Sequence, residues 1–404
     1  MDFSIKRNLF FVLIFLTVLT TSASFVLGNF TDQVAGLTVQ NNTQQELVPL
    51  PPPQKLANPP EIINAVYVTG WSAGSSKYLA YLANLFNDTE INAVVVDIKD
   101  YSGFISYDSQ AEEVKKYNLY SGAIKDIDSL VRFFHDKNIY VIGRISVFED
   151  PGYSKARPDV AIYNKVKTKD KISPVLWKDN NGLTWLDPSS KDVWDYNISL
   201  AKDVLSHGFD EINFDYIRFP SDGKTENMGF PVWSGKTKRA QVINEFFSYL
   251  RQELPDEKIS ADVFGQTTVN KDDMGIGQII ENTFGTFDYV SPMIYPSHYI
   301  KGFIGFDNPA KYPYEVIKYS MDKALAKQNK YISNNLPANE LEVGVPQKIA
   351  KFRPWIQDFN MGAVYNTEMV KSEIQALKDS LGKEYYGFML WSPSNIYTRG
   401  AVSK

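Results

Sequence analysis

The chain has 404 residues, of which 44% are hydrophobic and 22% charged, so it can bury a large core and is not an intrinsically disordered protein. Its formal net charge of -5 argues against a nucleic-acid-binding protein and favours a neutral partner over a polyanion. The absence of cysteine excludes thiol catalysis, disulfides and thiolate metal sites.

The first 28 residues have the layout of a secretory signal. Lys6 and Arg7 precede an apolar run over residues 9–19, and the small residues 22–24 follow it. Apolar residues then resume, which gives a stretch nearly long enough to span a bilayer, so cleavage of the signal and its retention as a membrane anchor both stay open. In either case we expect the rest of the chain to be extracytoplasmic, secreted or tethered to the membrane by its N-terminus.

Residues 29–60 are predicted to form a disordered linker. They lose hydrophobic periodicity and become rich first in Asn, Gln and Thr and then in Pro. We therefore expect one large folded domain over residues 61–404.

Short apolar runs alternate with longer amphipathic runs throughout that domain. The predicted strands are residues 65–69, 93–98, 140–145, 210–215, 259–263, 289–294, 351–357 and 386–391. The predicted helices are residues 77–86, 127–137, 191–205, 238–253, 313–327 and 368–381. Because repeated strand-helix units build a parallel sheet, and eight strands favour its closure, the sequence predicts an α/β fold of the (β/α)₈ TIM-barrel type.

The most informative run is residues 208–220, Gly-Phe-Asp-Glu-Ile-Asn-Phe-Asp-Tyr-Ile-Arg-Phe-Pro. In a strand, Glu211, Asn213 and Asp215 share one face, and the apolar residues between them share the other. This pattern fits the inner wall of a barrel with Asp215 at the strand end, where catalytic groups gather. A mixed strand with one solvated edge is the alternative, which the bulky apolar residues that follow argue against.

Polar and aromatic side chains also concentrate at the carboxyl ends of the other predicted strands. We expect the following to meet at the barrel mouth: Asp97, Asp100, Arg144, Arg218, Asp262, Tyr295, His298, Trp355, Gln357, Asp358 and Trp391. Since a buried acid is costly unless it is paired or used, this alignment predicts a functional site.

Cleavage of a glycosidic bond needs two carboxyl groups, one to protonate the leaving oxygen and one to attack or stabilise the oxocarbenium ion. Asp215 and Asp262 are the predicted pair, in a retaining mechanism. Arg144 would stabilise ionised Asp215, and apolar cover with nearby negative charge would keep Asp262 protonated. Asp97 and Asp100 are rivals for either role. An ion pair of Asp215 and Arg144 that only braces the barrel is the structural alternative.

The remaining candidates allow two interpretations each. His298 either bonds a sugar hydroxyl or assists the acid, or is an ordinary loop histidine. Trp355 and Trp391 either stack on sugar rings or fill the barrel. The three histidines lie too far apart for metal-ligand spacing, so no metal and no cofactor are expected.

Five segments resemble the signatures of a known bacterial family: residues 94–100, 209–220, 291–299, 353–359 and 390–395. That family is described as glycoside hydrolases of unassigned substrate with a TIM barrel distantly similar to α-amylase-type enzymes. The resemblance covers nearly everything after the linker and implies that the strand-four aspartate, Asp215, is the nucleophile. Amylase-type barrels carry a glutamate as acid on strand five, where this chain offers Asp262.

The sequence therefore predicts an exported glycoside hydrolase acting on a polysaccharide or oligosaccharide. A non-catalytic carbohydrate-binding barrel at the cell surface is the alternative. An esterase or deacetylase would need a metal cluster or a serine-histidine pair, and the sequence offers neither clearly.

Overall fold

Eight parallel strands close into a barrel in the computed structural model, which describes residues 51–335 and 349–404. The strands are β1 Ile63–Val68, β2 Ala93–Lys99, β3 Tyr140–Ser146, β4 Glu211–Asp215, β5 Ile259–Phe264, β6 Tyr289–Met293, β7 Trp355–Gln357 and β8 Gly387–Trp391. Each strand pairs with the next, β8 pairs with β1, and the pairing of Trp355 with Met293 joins β7 to β6. A short strand, Lys351–Phe352, extends the β6 edge. The predicted barrel and its eight strands are confirmed.

The six predicted helices are present on the outside of the barrel strands. They are α1 Ser76–Asp88, α2 Ile127–His135, α3 Lys191–Ser206, α4 Arg239–Glu253, α5 Pro313–Asn335 and α6 Thr367–Leu381. Side-chain caps fix several starts, as where Asp126 accepts from Ser129 N and Asn366 accepts from Met369 N. The connection after β5 uses the 3₁₀ turns Gly265–Thr268 and Ile280–Thr283 in place of an α-helix.

Shorter elements occupy the loops between strands. They are the helices Gly70–Ala73, Glu112–Tyr117, Pro151–Ala156 and Lys165–Thr168, and an antiparallel pair of strands, Tyr163–Asn164 and Met228–Gly229. The pair of strands joins the loop after β3 to the loop after β4.

The predicted signal or anchor and most of the predicted linker lie outside the described residues. Within the described ranges, no helix combines the length and apolar character that a membrane crossing requires. Residues 51–56 pack against the base of the barrel, where Arg132 donates to the carbonyl of Pro51 at 2.6 Å and Leu56 N donates to Asp210 at 2.6 Å. This end of the predicted linker is thus fixed opposite the carboxyl ends of the strands.

Alternation along the strands separates two apolar layers. Outward residues such as Val96, Ile212 and Phe214 are buried against the helices, whereas Ala65 and Val95 belong to a smaller cluster inside the barrel. Every residue of β2 is buried, as expected for a barrel strand covered on both faces.

A buried ion pair fills the base of the barrel. Glu211, the first residue of β4, contacts Arg353, and both side chains are 0% exposed. Tyr140 donates its hydroxyl to Glu211 at 3.2 Å, and the guanidinium carbon of Arg353 lies 4.0 Å from the ring centroid of Tyr289. Glu211 is therefore part of the structural base and lies well below the strand ends.

Glu211→Gln should leave the guanidinium of Arg353 buried without a counter-charge. We expect the free energy of unfolding, measured by urea denaturation, to fall by about 3–5 kcal/mol. The matched control is Asp108→Asn, which breaks an exposed pair with Lys115 and should cost at most about 1 kcal/mol. Equal losses in the two variants would contradict a structural role for the buried pair.

Candidate active site

A cavity of about 620 Å³ opens among the carboxyl ends of the strands. Most of the predicted site residues line it: Asp97, Arg144, Asp215, Arg218, Asp262, Tyr295, His298, Trp355 and Trp391. They come from β2 to β8 or from the residues just after them, so the parallel register brings together groups that are far apart in the chain.

The structure does not bring Asp100, Gln357 and Asp358 to the lining of this cavity. Each side chain bonds to a neighbouring loop instead. Asp100 accepts from Ser102 N at 2.8 Å, and Gln357 donates to the carbonyl of Phe359 at 2.9 Å. Asp358 accepts from the backbone and hydroxyl of Thr398 at 2.7 and 2.6 Å. These three residues therefore brace loops near the mouth.

One guanidinium joins the three predicted catalytic acids. Arg144, on the inner face of β3, lies 2.5 Å from Asp97 Oδ1 and 2.6 Å from Asp215 Oδ2. Its Nε lies 3.9 Å from Asp262 Oδ2. Tyr67 also donates its hydroxyl to Asp97, so both oxygens of Asp97 are occupied. Acids from β2, β4 and β5 thus converge on a cation from β3.

Asp215 ends β4 and lies at a strained turn. Its Oδ1 accepts from Tyr216 N at 2.5 Å, while its Oδ2 accepts from Arg144. Tyr216 has φ of 52°, a left-handed conformation that is rare for a bulky side chain and that gathers at functional sites. The turn directs the chain so that both Asp215 and Arg218 line the cavity.

Asp262 lies on the cavity floor and is 1% exposed. Its Oδ1 accepts from Asn213 Nδ2 and from Trp355 Nε1, both at 2.8 Å. Its Oδ2 receives no hydrogen bond from any residue that the structure describes. Burial, followed by the nearby charge of Asp215, raises the pKa of Asp262 well above its usual range, which favours the protonated form of the carboxyl.

Aromatic rings form one wall of the mouth. The ring centroid of Trp391 lies 5.1 Å from that of Tyr295 and 4.8 Å from that of Phe359, and His298 lies 5.2 Å from Tyr295. His298 is exposed at the mouth, and partial desolvation lowers its pKa, which favours the neutral imidazole. Trp391 is partly exposed and offers a face to the cavity, whereas Trp355 is 2% exposed and fills the barrel interior.

Glu149, in the loop after β3, is a buried acid that strand alternation did not select. It is 4% exposed, and its carboxyl receives no hydrogen bond within residues 51–335 and 349–404. Burial raises its pKa to about 8, because desolvation outweighs the nearby charge of Arg218. Tyr67 was also missed, although it has the same strand phase as Ala65 on the inner face of β1 and therefore carried a usable signal.

A buried cluster fixes the chain next to Glu149. Lys99 Nζ lies 2.7 Å from Asp150 Oδ2 and 2.8 Å from Asn197 Oδ1, and all three residues are 0% exposed. Asp150 Oδ1 accepts from Tyr153 N at 2.7 Å and so caps the following short helix. The described residues contain no group of three or more His, Asp or Glu side chains arranged to hold a metal ion.

Residues 65–397 match the model of a protein family described as "putative glycosyl hydrolase domain". The chain belongs to this family. The protein is therefore a glycoside hydrolase by family. The family model matches nearly the whole barrel, and the matched residues include every acid that lines the cavity. A comparison with curated proteins finds no match.

Solved structures of similar fold include other glycoside hydrolases. The PgaB (BpsB) glycoside hydrolase domain from Bordetella bronchiseptica is 14% identical, with a TM-score of 0.52 over 85% of this chain and 99% of that domain. This likeness shows a shared fold. A hypothetical protein from Ruminiclostridium thermocellum is 42% identical over 49% of this chain and 97% of its own, with a TM-score of 0.44. An alpha-galactosidase from Thermus thermophilus is 12% identical over 87% of this chain and 65% of its own, with a TM-score of 0.46.

The raised pKa of Glu149 makes stability depend on pH in this glycoside hydrolase. Between pH 4.5 and about 8 the folded protein keeps a proton on Glu149 that the unfolded chain has released. The free energy of unfolding therefore falls as pH rises through this window. In Glu149→Gln this contribution is absent. The free energy of unfolding of the variant, relative to that of wild type, should therefore rise by about 2–4 kcal/mol between pH 4.5 and pH 8.

Urea denaturation of both proteins at the two ends of the window measures this difference. The exposed Glu112→Gln serves as the control and should follow wild type. The assignment fails if Glu149→Gln loses stability with pH as steeply as wild type does.

Proposed function

We propose that this protein is an extracytoplasmic glycoside hydrolase that cuts a polysaccharide or oligosaccharide with Asp215 as nucleophile and Asp262 as proton donor. The observation that carries the proposal is the convergence of both acids on Arg144 at one cavity, with the ion pair at Asp215 and the raised pKa at Asp262. Export is supported by the N-terminal sequence alone.

Asp215 is held in position as the nucleophile. A guanidinium donates to one of its oxygens and a backbone N–H to the other. In the proposed reaction, a carboxylate oxygen of Asp215 forms a bond to the anomeric carbon as the bond to the leaving oxygen breaks. The electron pair of the broken bond stays on the leaving oxygen.

Asp262 is arranged as the proton donor for that oxygen. Asn213 and Trp355 both donate to Oδ1, which leaves Oδ2 to carry the proton. No acceptor among the described residues takes this proton. In the second step water attacks the glycosyl-enzyme, gives its proton to Asp262 and releases Asp215.

The separation of the two carboxyl groups is compatible with this chemistry. Because both contact the same guanidinium, they lie within the range, up to about 9.5 Å, that glycosidase acid pairs span. They also come from neighbouring strands, since Phe214 of β4 pairs with Ala261 of β5. Adjacent strands support the shorter separation of retaining enzymes.

Asp97 supports the site indirectly in this proposal. Its two oxygens accept from Arg144 and Tyr67, so in this proposal it holds the guanidinium in place. Trp391 and Tyr295 supply the aromatic face on which a sugar ring stacks.

The alternative is a non-catalytic carbohydrate-binding barrel. The observation that favours it is the burial of Asp262, whose Oδ2 is fully enclosed. A proton donor must reach the leaving oxygen, whereas a binding site needs no such access.

Replacing Asp215 by Asn separates the two functions. We expect release of reducing sugar to fall by at least about a thousandfold, since the nucleophile is lost, while the Kd for the same glycan changes little. The exposed Asp256→Asn is the control and should keep wild-type activity. A wild-type protein that binds glycans and cuts none of them would favour the binding alternative.

Replacing Asp262 by Asn tests the proton donor. Natural glycans have poor leaving groups and should be cut at least about a hundredfold more slowly, because general acid catalysis contributes roughly 10²–10⁴. Aryl glycosides whose leaving group needs no proton should lose much less in the first step. If Glu149→Gln shows this leaving-group pattern and Asp262→Asn does not, the donor is Glu149.

A further inference from the structure

Arg218 is a buried cation of the cavity wall without a carboxylate partner. It is 8% exposed, and within the described residues it forms no ion pair. Its Nη1 donates to the carbonyl of Phe219 at 3.1 Å and to the hydroxyl of Ser221 at 3.2 Å. Burial lowers the pKa of Arg218, which reflects the cost of enclosing this charge.

The other cation of the cavity is in the opposite situation. Arg144 contacts Asp97 and Asp215 directly, with Asp262 close by, so its charge is matched by the protein itself. A buried charge that lacks a partner is unfavourable unless something else supplies the counter-charge.

Glu149 does not supply it. Its carboxyl is near enough to Arg218 for each to affect the other's charge, yet the two form no ion pair. Because its pKa is raised to about 8, the carboxyl is mostly neutral at pH 7. The other charges that act on Glu149 are those of Asp179, Asp215 and Arg144, and two of these three are negative.

Three aromatic rings fix the orientation of the guanidinium. Its central carbon lies 4.8 Å from the ring centroid of Trp185, 5.3 Å from that of Tyr216 and 4.5 Å from that of Phe264. The guanidinium lies over these three rings, and the Nε and Nη2 at one edge of it donate to no described residue. Both nitrogens keep some accessible surface, and the residue lines the cavity. This edge fits a carboxylate with two parallel hydrogen bonds.

We propose that Arg218 binds the carboxylate of a uronic acid, so that the substrate of the cavity is an acidic glycan. This inference rests on the proposed function and names its substrate class. The net charge of the whole chain favours a neutral ligand. The charges next to the bound group have the larger effect on binding, however, because electrostatic interactions weaken with distance. At that position the guanidinium of Arg218, which has no ion-pair partner among the described residues, lines the same cavity as Asp215.

Binding of matched glycans tests the proposal. Thio-linked oligogalacturonides and oligoglucuronates, which resist hydrolysis, are compared with their carboxyl-reduced, neutral counterparts by titration calorimetry at pH 7. Wild type should bind at least one acidic glycan about ten- to a hundredfold more tightly than its neutral counterpart, the range expected for hydrogen bonds to a charged group. A sulfated glycan should bind more weakly than the carboxylated one.

Two variants test whether Arg218 causes the preference for acidic over neutral glycans. Arg218→Met removes the charge and should bring the ratio of acidic to neutral affinity close to one, while Arg218→Lys keeps the charge, loses the planar edge and should retain part of the ratio. The matched control is Arg239→Met. Arg239 also stacks on aromatic rings, 5.1 Å from Phe219 and from Trp233, but it does not line the cavity, so the ratio should stay at the wild-type value.

The proposal is overturned if wild type binds acidic and neutral glycans equally, if it prefers sulfated glycans, or if Arg218→Met keeps the preference. The wild-type comparison decides even if a variant fails to fold. Because binding is measured, this inference and the hydrolase proposal fail separately. Preferential binding of uronides without cleavage would refute only the hydrolase, and cleavage of neutral glycans without a preference for uronides would refute only the uronate site.

Discussion

The shared guanidinium of Arg144 is the interaction on which the site depends. It contacts the carboxyl groups of Asp97 and Asp215 directly, and burial raises the pKa of Asp97 although Arg144 and Tyr67 oppose this shift. Burial, followed by the nearby charge of Asp215, raises the pKa of Asp262 well above its usual range, which favours the protonated form of this carboxyl. One arginine therefore gathers two acids from neighbouring strands in different surroundings, Asp215 in a direct ion pair and Asp262 buried with an unbonded Oδ2, and this difference supports the two roles of the proposed glycoside cleavage.

Two sets of ion pairs lie at different depths in the barrel, and their depth determines whether they stabilise the fold or can contact a ligand. At the base, Glu211 and Arg353 are both 0% exposed and form an ion pair that is enclosed on all sides. At the mouth, Arg144 is 14% exposed and its acids line an open cavity. The same residue types brace the fold at one end and present reactive groups at the other, because only the carboxyl ends of the strands reach the ligand.

The sequence predicted the barrel and the central acids because both follow regular patterns. Strands alternate with helices along the chain, and inward and outward side chains alternate along each strand. Strand alternation placed Asp215 and Asp262 on the inner face, and the closed barrel brought them together. The same reasoning failed to separate Asp358 from the cavity residues. Its carboxyl accepts a hydrogen bond from Thr398 in a loop, and a contact of this kind cannot be predicted from strand alternation. Glu149, which follows the third strand, was not chosen as a site residue for a related reason: its burial comes from long loops, whose packing depends on residues far away in the chain.

The protonation state of Asp262 is the most direct test of this account. Infrared difference spectroscopy between wild type and Asp262→Asn at neutral pH, without any glycan, reports it. We predict that the variant loses the carbonyl band of a protonated carboxyl group and keeps every carboxylate band. Loss of a carboxylate band instead would show that Asp262 is ionised, and Arg144 would then be no more than the centre of a structural ion-pair cluster.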